Sequence, residues 1–477
     1  MLFNSLEFAI FFLTLFVIYW QITSVALRNV FLLTASYVFY GWWDYRFLGL
    51  ILLSSCVDFS IALAIERSDS PRRRWWLLCA CLCFELGMVG FFKYFNFFIE
   101  EANTLLLTLG FAPHLTTLQI ILPVGISFYT FQTLSYVIDV YRRQMPAEYK
   151  LINFLAYVSF FPQLVAGPIE RATNLLPQFR TLKQFSEPDC VAGLKQILWG
   201  LFKKVAIADR CAPIVDRIFD SYTEQSSPLL AVGAVLFAFQ IYGDFSGYSD
   251  IAIGVARMLG FRLMRNFNYP YFSRDIAEFW RRWHISLSTW FRDYVYLPLG
   301  GSRAGRWRSL ANIFVVFLLS GFWHGANWTF IAWGFMNALY FVPLYLAGTN
   351  RRHLDEIGGD RWWPTGKESL QILGTFTLIS IAWVFFRAES IDQAFDYLTR
   401  IAGCTFRVPG VSLAGDLIAL MPLMVFFLMI EWHFRHQQFP FERPGTHPAV
   451  TWVFSLLTGV IVLASGHLQA TFIYFQF

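Results

Sequence analysis

Apolar runs long enough to cross a lipid bilayer recur from one end of the chain to the other. Of the 477 residues, 56% are hydrophobic and only 14% are charged, whereas soluble domains have about 25% charged residues. A helix needs about 20 apolar residues to cross a bilayer core of roughly 30 Å. Because every backbone polar group in lipid must find a partner within its own structure, the sequence predicts an all-α, polytopic membrane protein, with one domain over residues 1–477.

The hydrophobic pattern also predicts where the helices lie. The candidate spans are 6–22, 29–43, 47–65, 75–98, 118–140, 151–167, 191–208, 228–260, 309–323, 326–347, 368–387, 412–432 and 449–466. Some are short or carry charges such as Lys203, Lys204 and Asp244, which favours interfacial or re-entrant positions. We therefore expect about 11 to 13 helices at membrane depth. The first span lacks the features of a cleaved signal, so we expect it to be retained.

A basic region interrupts this apolar pattern. Residues 262–308 contain nine arginines and three acidic residues, a balance of +6, so the rest of the chain has a net charge of −1. Within it, 275–301 has apolar residues at helical spacing, which predicts one amphipathic helix. The apolar stripe consists of Phe279, Trp283, Leu287, Trp290 and Tyr294. The polar stripe consists of Arg281, His284, Ser288 and Arg292.

Two interpretations of this amphipathic segment stay open. It can lie at the lipid headgroups, with tryptophans as anchors and arginines extended toward phosphate. Alternatively, its polar stripe can face a water-filled cavity that binds an anionic donor, such as a nucleotide-linked acyl thioester. In that case Arg281 and Arg292 are the candidate donor-binding residues.

A histidine stands within the next apolar run, in "SGFWHGANW", residues 320–328. A lone intramembrane histidine often does no more than satisfy a helix contact. Here Gly321 and Gly325 leave room for another backbone or a substrate to approach the ring, and a neutral imidazole can accept a proton from an attacking hydroxyl. His324 is therefore the first candidate for a catalytic base. Trp323 is a candidate substrate contact, and Asn327 is a candidate hydrogen-bond donor to a developing oxyanion.

Acidic residues occur at membrane depth in "QIYGDFSGYSDIAIG", residues 240–254. Asp244 and Asp250 can be ion-coupling carboxylates of a transporter, helix-capping groups, or partners of arginines. Pairing with arginine is favoured because an unpaired carboxylate there is costly. Asp244 is also a candidate substrate-binding residue. Neither a serine-hydrolase elbow nor a catalytic-cysteine signature occurs, and no metal site, tightly bound cofactor or nucleic-acid partner is expected.

Several sequence blocks, in the same order, resemble the membrane-bound O-acyltransferases, and within them the alginate O-acetyltransferase type of bacterial polysaccharide acetylation proteins. The blocks are "MLFNSLEF", "NVFLLTASYVFYGWW", "LPVGISFYTFQTLSYVIDVYR", "FFPQLVAGPIER", "QIYGDFSGYSDIAIG", "FWRRWHISLSTWFRDYVYLPLGGSR", "SGFWHGANWTFIAWG" and "FIYFQF". The resemblance implies a ring of tilted helices around a central tunnel. It also implies catalytic roles for His324, near mid-membrane, and His284, lining the same path. The predicted catalytic core segment is 262–348.

The same resemblance implies an activity and its participants. The donor is acetyl-coenzyme A or another cytosolic acetyl thioester, and the acceptor is an exported polysaccharide, with transfer completed by a separate periplasmic or membrane-anchored transferase of the Ser-His-Asp kind. It also implies a multi-pass protein of the bacterial inner membrane, in contact with its lipids. Two alternatives stay open: a transporter or flippase that uses Asp244, Asp250 and the arginines, and a scaffold that only recruits an extracellular transferase.

Overall fold

All regular secondary structure in the described part of the chain is helical, which confirms the all-α prediction. The computed structural model describes residues 1–112, 114–165, 167–359, 361–404, 413–440, 442, 448–465 and 472–473. The helices are α1 (Leu6–Gln21), α2 (Val25–Asp44), α3 (Leu48–Glu66), α4 (Pro71–Val89), α5 (Phe95–Thr108), α6 (Ile126–Tyr141), α7 (Leu151–Val158), α8 (Phe161–Leu164), α9 (Ala172–Leu175), α10 (Glu187–Leu201), α11 (Asp209–Asp220), α12 (Ser227–Met258), α13 (Ile276–Arg282), α14 (Ile285–Phe291), α15 (Arg306–His324), α16 (Trp328–Leu346), α17 (Gly366–Arg387), α18 (Ile391–Ala402), α19 (Ala414–His433) and α20 (Pro448–Ser465).

Six helical segments among the described residues are long and apolar enough to cross a membrane, judged by length and composition alone. They are Val25–Glu66, Pro71–Thr108, Ser227–Met258, Trp328–Leu346, Gly366–Arg387 and Ala414–His433. The first two are 42 and 38 residues long, which is about twice the length that one crossing needs. The chain is therefore a multi-pass membrane protein, as predicted.

The predicted spans 118–140 and 151–167 include residues that lie in no helix. The span predicted at 118–140 begins only at Ile126, after Gly125 in the left-handed region at φ 76°. The span predicted at 151–167 is wrong as a continuous helix, because α7 ends at Val158 and the four-residue α8 follows. The chain leaves the helix where the backbone N–H of Phe161 donates to Ser36 Oγ at 3.1 Å, so a tertiary contact replaces the helical hydrogen bond.

The chain forms two compact units. Unit 1 comprises Met1–Cys190 and Val255–Met264, and unit 2 comprises Val191–Gly254 and Arg265–Phe477. Unit 2 contains both candidate catalytic histidines. The predicted single domain, its core segment 262–348, and the ring of helices around a tunnel stay predictions.

Glycines allow α10 and α12 to approach each other closely within unit 2. A Cβ added at Gly200 would lie 2.6 Å from the carbonyl oxygen of Gly247, and one added at Gly247 would lie 2.7 Å from that of Gly200. Any side chain here would force the two backbones apart. The close approach brings the π-helical turn Phe202–Ala208, which follows α10, against the polar part of α12.

A second pair of glycines holds α15 against α16. A Cβ added at Gly321 would collide with the carbonyl oxygen of Phe330, and one added at Gly334 would collide with that of Phe317. The predicted room beside the histidine is therefore taken by a neighbouring backbone. At Gly325 it is taken by the ring of Phe330.

The amphipathic segment is two short helices instead of the single predicted helix. Between α13 and α14, His284 adopts the left-handed region at φ 42°, which is rare for a residue other than glycine. The break is held by backbone hydrogen bonds from Asn268 N to Arg282 O and from Ile285 N to Asn266 O, both 2.9 Å. The predicted polar stripe is thereby divided, because His284 is buried whereas Arg281 and Arg292 are exposed.

Candidate active site

His324 is the last residue of α15, where the helix ends before Gly325. Its side chain is only 4% exposed. Its imidazole lies 5.1 Å from the ring of Trp333 on α16 and 5.1 Å from that of Phe386 on α17, centroid to centroid. Three helices of unit 2 thus place this imidazole among aromatic rings.

His284 lies at the break between α13 and α14 and is 1% exposed. Its Nδ1 lies 3.1 Å from Oδ1 of Asn266. The ring packs edge-to-face against Phe245 of α12, at a centroid distance of 4.6 Å. Burial lowers the pKa of His284 to about 3, because a low-dielectric environment disfavours the imidazolium. The side chain is therefore neutral near pH 7 and has one donor and one acceptor nitrogen.

Trp323 lies next to both histidines. Its ring centroid is 4.9 Å from that of His324 and 6.0 Å from that of His284, and the residue is 6% exposed. The structure therefore brings together three of the residues that the sequence predicted for the site, from α15 and from the α13–α14 break. The wider aromatic shell continues through Trp333 to Trp383, with stacked rings 5.6 Å apart.

Asn327 precedes α16 and caps it. Its Oδ1 accepts a hydrogen bond from the backbone N–H of Thr329 at 3.0 Å, and its Nδ2 donates to the carbonyl oxygen of Glu389 at 3.0 Å. Both ends of the amide thus hold local structure. Its predicted role toward an oxyanion stays a prediction.

The two arginines predicted to bind the donor are exposed and lie outside the aromatic shell. Arg281 donates to the backbone carbonyls of Asn350 at 2.9 Å and His353 at 2.7 Å, and therefore anchors the loop between α16 and α17. Arg292 pairs with the adjacent Asp293 at 2.7 Å and its side chain is 60% exposed. Contact with a donor stays a prediction for both arginines.

The two acids of α12 pair with lysines, so the prediction of arginine partners is wrong. Asp244 Oδ1 lies 2.8 Å from Lys204 Nζ, and its Oδ2 accepts from the backbone N–H of Ile473 at 2.7 Å. Asp250 pairs with Lys203. The reason is positional, because the π-helical turn after α10 points two lysines into unit 2, toward α12. These contacts give Asp244 a structural role, and its predicted contact with substrate is untested.

Other contributors had no recognisable sequence signal. Asn266 is fully buried beside His284, although it is 18 residues away in sequence. Phe330 and Phe386, whose rings are 4.8 Å apart, complete the wall around His324. Within the described ranges, no group of three or more His, Cys, Asp or Glu residues could hold a metal ion.

The arrangement is suited to proton transfer in a dry environment. Two imidazoles lie near one indole, with ring centroids 4.9 and 6.0 Å from it. Further aromatic rings surround them, together with the amide of Asn266 beside His284. A neutral imidazole can accept a proton from a hydroxyl during attack on a carbonyl. Because the surroundings exclude most water, competing hydrolysis is suppressed and electrostatic effects are strengthened.

Comparisons with known proteins agree with this chemistry. The model of the MBOAT, membrane-bound O-acyltransferase family matches residues 142–385, which include both histidines. The chain is 42% identical over 402 residues to a probable alginate O-acetylase AlgI of Azotobacter vinelandii, covering 83% of the chain and 76% of the relative. It is 36% identical to a protein of the same name from Pseudomonas putida, over the full length of both. It is also 35% identical to a peptidoglycan O-acetyltransferase of Helicobacter pylori, covering 81% of the chain and 75% of the relative.

Proposed function

Since the chain belongs to the membrane-bound O-acyltransferase family, we propose that it is an O-acetyltransferase that acts in the acetylation of an exported polysaccharide. Relatives named for alginate and for peptidoglycan acetylation both align over most of the chain. The observation that carries the proposal is the pair of buried imidazoles that both lie next to Trp323, inside the region that the family model matches. The acceptor class is an exported glycan with free hydroxyl groups.

His324 is the proposed general base. Its imidazole accepts the proton of an acceptor hydroxyl while the hydroxyl oxygen forms a bond to the acetyl carbonyl carbon. The C–S bond of the thioester then breaks, and the imidazolium returns the proton to the departing thiolate. His284 is neutral near pH 7 and orients a reacting group through its acceptor nitrogen. No net proton is gained or lost by the protein.

The proposed donor is acetyl-coenzyme A or another cytosolic acetyl thioester. Its phosphates would be attracted by the basic region 262–308, in which Arg281 and Arg292 are exposed and guanidinium groups suit phosphate. The acceptor hydroxyl belongs to the glycan or to a serine of a periplasmic or membrane-anchored partner transferase. In this proposal the protein acts in the bacterial inner membrane, between a cytosolic donor and an exported acceptor.

The substitution His324→Ala tests the proposal most directly. We expect it to lower acetyl transfer by roughly 10²- to 10⁴-fold, the contribution typical of a general base, while the protein still inserts and folds. The assay supplies isotopically labelled acetyl-coenzyme A to reconstituted protein with its partner and follows label into protein and glycan. Mass spectrometry of the exported glycan measures ester content at matched expression.

The matched control is His114→Ala, because His114 is exposed and lies in unit 1. This variant should acetylate as well as the unsubstituted protein. Normal ester content in His324→Ala would remove this residue from catalysis. Absence of label from both protein and glycan with the unsubstituted protein would remove the acetyltransferase proposal as a whole.

A further inference from the structure

We propose that Asn266 is a positioning residue that fixes the tautomer and orientation of His284, an inference that rests on the proposed function. Asn266 is fully buried and lies just before the segment that leads to α13. Its side-chain oxygen faces both the imidazole of His284 and the first turn of α14. Neither the family model nor the relatives' names assign this residue a role.

Three donors converge on Oδ1 of Asn266. Oδ1 lies 3.1 Å from His284 Nδ1, and it accepts from the hydroxyl of Ser286 at 2.9 Å and from the backbone N–H of Ser286 at 3.3 Å. At the other end of the amide, Nδ2 donates to the hydroxyl of Ser249 on α12 at 3.1 Å. The amide therefore connects the α13–α14 break with α12.

The backbone N–H of Ser286 decides which way round the amide lies. A backbone N–H can only donate, so the atom facing it must be the amide oxygen and cannot be the NH₂ group. The same oxygen faces His284 Nδ1 at 3.1 Å. The hydroxyl of Ser286 is farther from Nδ1, at 3.4 Å, and lies 2.9 Å from the amide oxygen to which it donates, so Nδ1 is the protonated nitrogen of the neutral ring. Nε2 consequently carries the lone pair. The hydrogen-bond pattern thus selects the Nδ1–H tautomer without any charged partner.

Asn266 also holds the backbone that carries the imidazole. Its carbonyl oxygen accepts from the backbone N–H of Ile285 at 2.9 Å, so its two oxygens satisfy the first two N–H groups of α14. These donors have no partner within the helix itself. Asn266 therefore stabilises the unusual left-handed backbone conformation of His284 and also sets the tautomer of its ring.

The consequence is a fixed acceptor nitrogen in the active site. Because Nδ1 is occupied by Asn266, a substrate hydroxyl or thiol can interact with His284 only at Nε2. Removing the amide oxygen would free the ring to adopt the other tautomer, in which Nε2 is a donor. Productive binding geometry would then form in only a fraction of molecules, which lowers kcat more than it raises KM.

The experiment is a double-mutant cycle in the full-length protein reconstituted with labelled acetyl-coenzyme A and its partner. We expect Asn266→Ala to lower kcat by on the order of 10- to 100-fold, the range known when an outer partner that orients a metal-binding histidine is removed. In the background of His284→Ala, adding Asn266→Ala should lower the rate little further, because its effect passes through the imidazole. Correct folding is checked by size-exclusion chromatography in detergent.

Two further variants separate positioning from packing. Asn266→Asp keeps an acceptor oxygen for His284 Nδ1 and for Ser286 N, so it should recover most of the activity that Asn266→Ala loses. Ser249→Ala removes only the partner of Nδ2, so it should have a much smaller effect. If Asn266→Ala fails to fold, the comparison of Asn266→Asp with the unsubstituted protein still tests the inference.

The outcomes distinguish the two proposals. Multiplicative losses in the double mutant, or an Asn266→Asp variant that folds but is as inactive as His284→Ala, would overturn the positioning role in an otherwise active acetyltransferase. An unsubstituted protein that transfers no label would overturn the proposed function, and the positioning role with it. Unchanged activity in His284→Ala would overturn the positioning role, because Asn266 is proposed to act through His284. The proposed acetyltransferase function would remain.

Discussion

The amide of Asn327 has two candidate roles that one substitution can separate. Asn327→Ala removes the cap of α16 and the hydrogen bond to Glu389 O. We expect a loss of about 1 kcal/mol in the free energy of unfolding, the usual effect of losing an N-cap, with kcat close to that of the unsubstituted protein. Thermal unfolding in detergent and acetyl-transfer kinetics measure the two quantities on the same preparation.

The aspartate variant is the control for this prediction. Asn327→Asp keeps the oxygen that caps α16 but has no N–H to donate, so its stability should fall less than that of the alanine variant. A drop in kcat of about 10²- to 10³-fold in both variants would contradict our expectation. That magnitude is typical of losing an oxyanion donor and would assign the predicted catalytic role to this amide.

Individual residues were predictable where a residue type is rare at membrane depth. His324 stands out because a polar group within an apolar run needs a partner, whereas the catalytic role of His284 was implied by the resemblance to a known family. The structure places both histidines next to Trp323. Asn266 and Phe330 could not be found in this way. Their proximity to the histidines comes from tertiary packing between segments, and local periodicity carries no information about that.

The glycines between α15 and α16 set how closely the two helices pack. Gly334→Ala would push a methyl group against the carbonyl oxygen of Phe317. We expect a loss of about 1–3 kcal/mol of stability, as for other overpacked sites, and lower acetyl transfer because His324 ends α15. The measurement is the midpoint of thermal denaturation in detergent together with the transfer rate.

Gly374→Ala on α17 is the matched helical control. This glycine is exposed, and an added Cβ would meet no atom within 4 Å. It should be as stable as the unsubstituted protein or slightly more so, because alanine is the better helix former. Equal effects of the two substitutions would show that close approach at Gly334 is not what stabilises the hairpin.

Helix positions followed from hydrophobic runs, whereas breaks in helices did not. The predicted span 368–387 and the observed α17, Gly366–Arg387, differ by only two residues at one end. The prediction of one continuous helix over 275–301 is wrong. The apolar spacing fits a helix on both sides of His284, so the spacing does not reveal the break between α13 and α14. Hydrogen bonds with the segment 266–268 impose the break. The residue types at Trp283 and His284 do not by themselves predict the end of a helix.

The buried charges of unit 2 pair in a way that a chain-wide count of charged residues does not predict. Lys204 Nζ lies 2.8 Å from both Asp209 Oδ1 and Asp244 Oδ1, and all three side chains are at most 4% exposed. The basic excess of the chain lies in the arginine-rich region 262–308. Arginine was therefore the expected partner of the acids on α12. The two acids of α12 instead pair with lysines of the π-helical turn. The buried Arg274 pairs with Glu278, while Arg281 and Arg292 face outward.

The α15–α16 hairpin has its basic residues at one end and His324 at the other. Arg306 Nη2 donates to the carbonyl oxygen of Leu346 at 2.8 Å, so the start of α15 and the end of α16 lie together. Exposed basic residues gather at this end of the hairpin: Arg303, Arg306, Arg308, Arg351 and Arg352. His324 is at the other end of the 19-residue α15, about 28 Å away along the helix axis.

An excess of arginine marks the cytoplasmic side of a membrane protein, which makes the orientation of this hairpin testable. Trp307, 78% exposed, is replaced by cysteine in a variant whose exposed Cys83 and Cys404 are replaced by serine. We expect a membrane-impermeant maleimide to label Trp307→Cys in inside-out vesicles and not in intact spheroplasts. Detergent-solubilised protein gives total labelling, and the variant without Trp307→Cys gives the background. Labelling of intact spheroplasts would place the basic end outside, and the cytosolic thioester would then have to reach His324 from the end of α15 that carries the histidine.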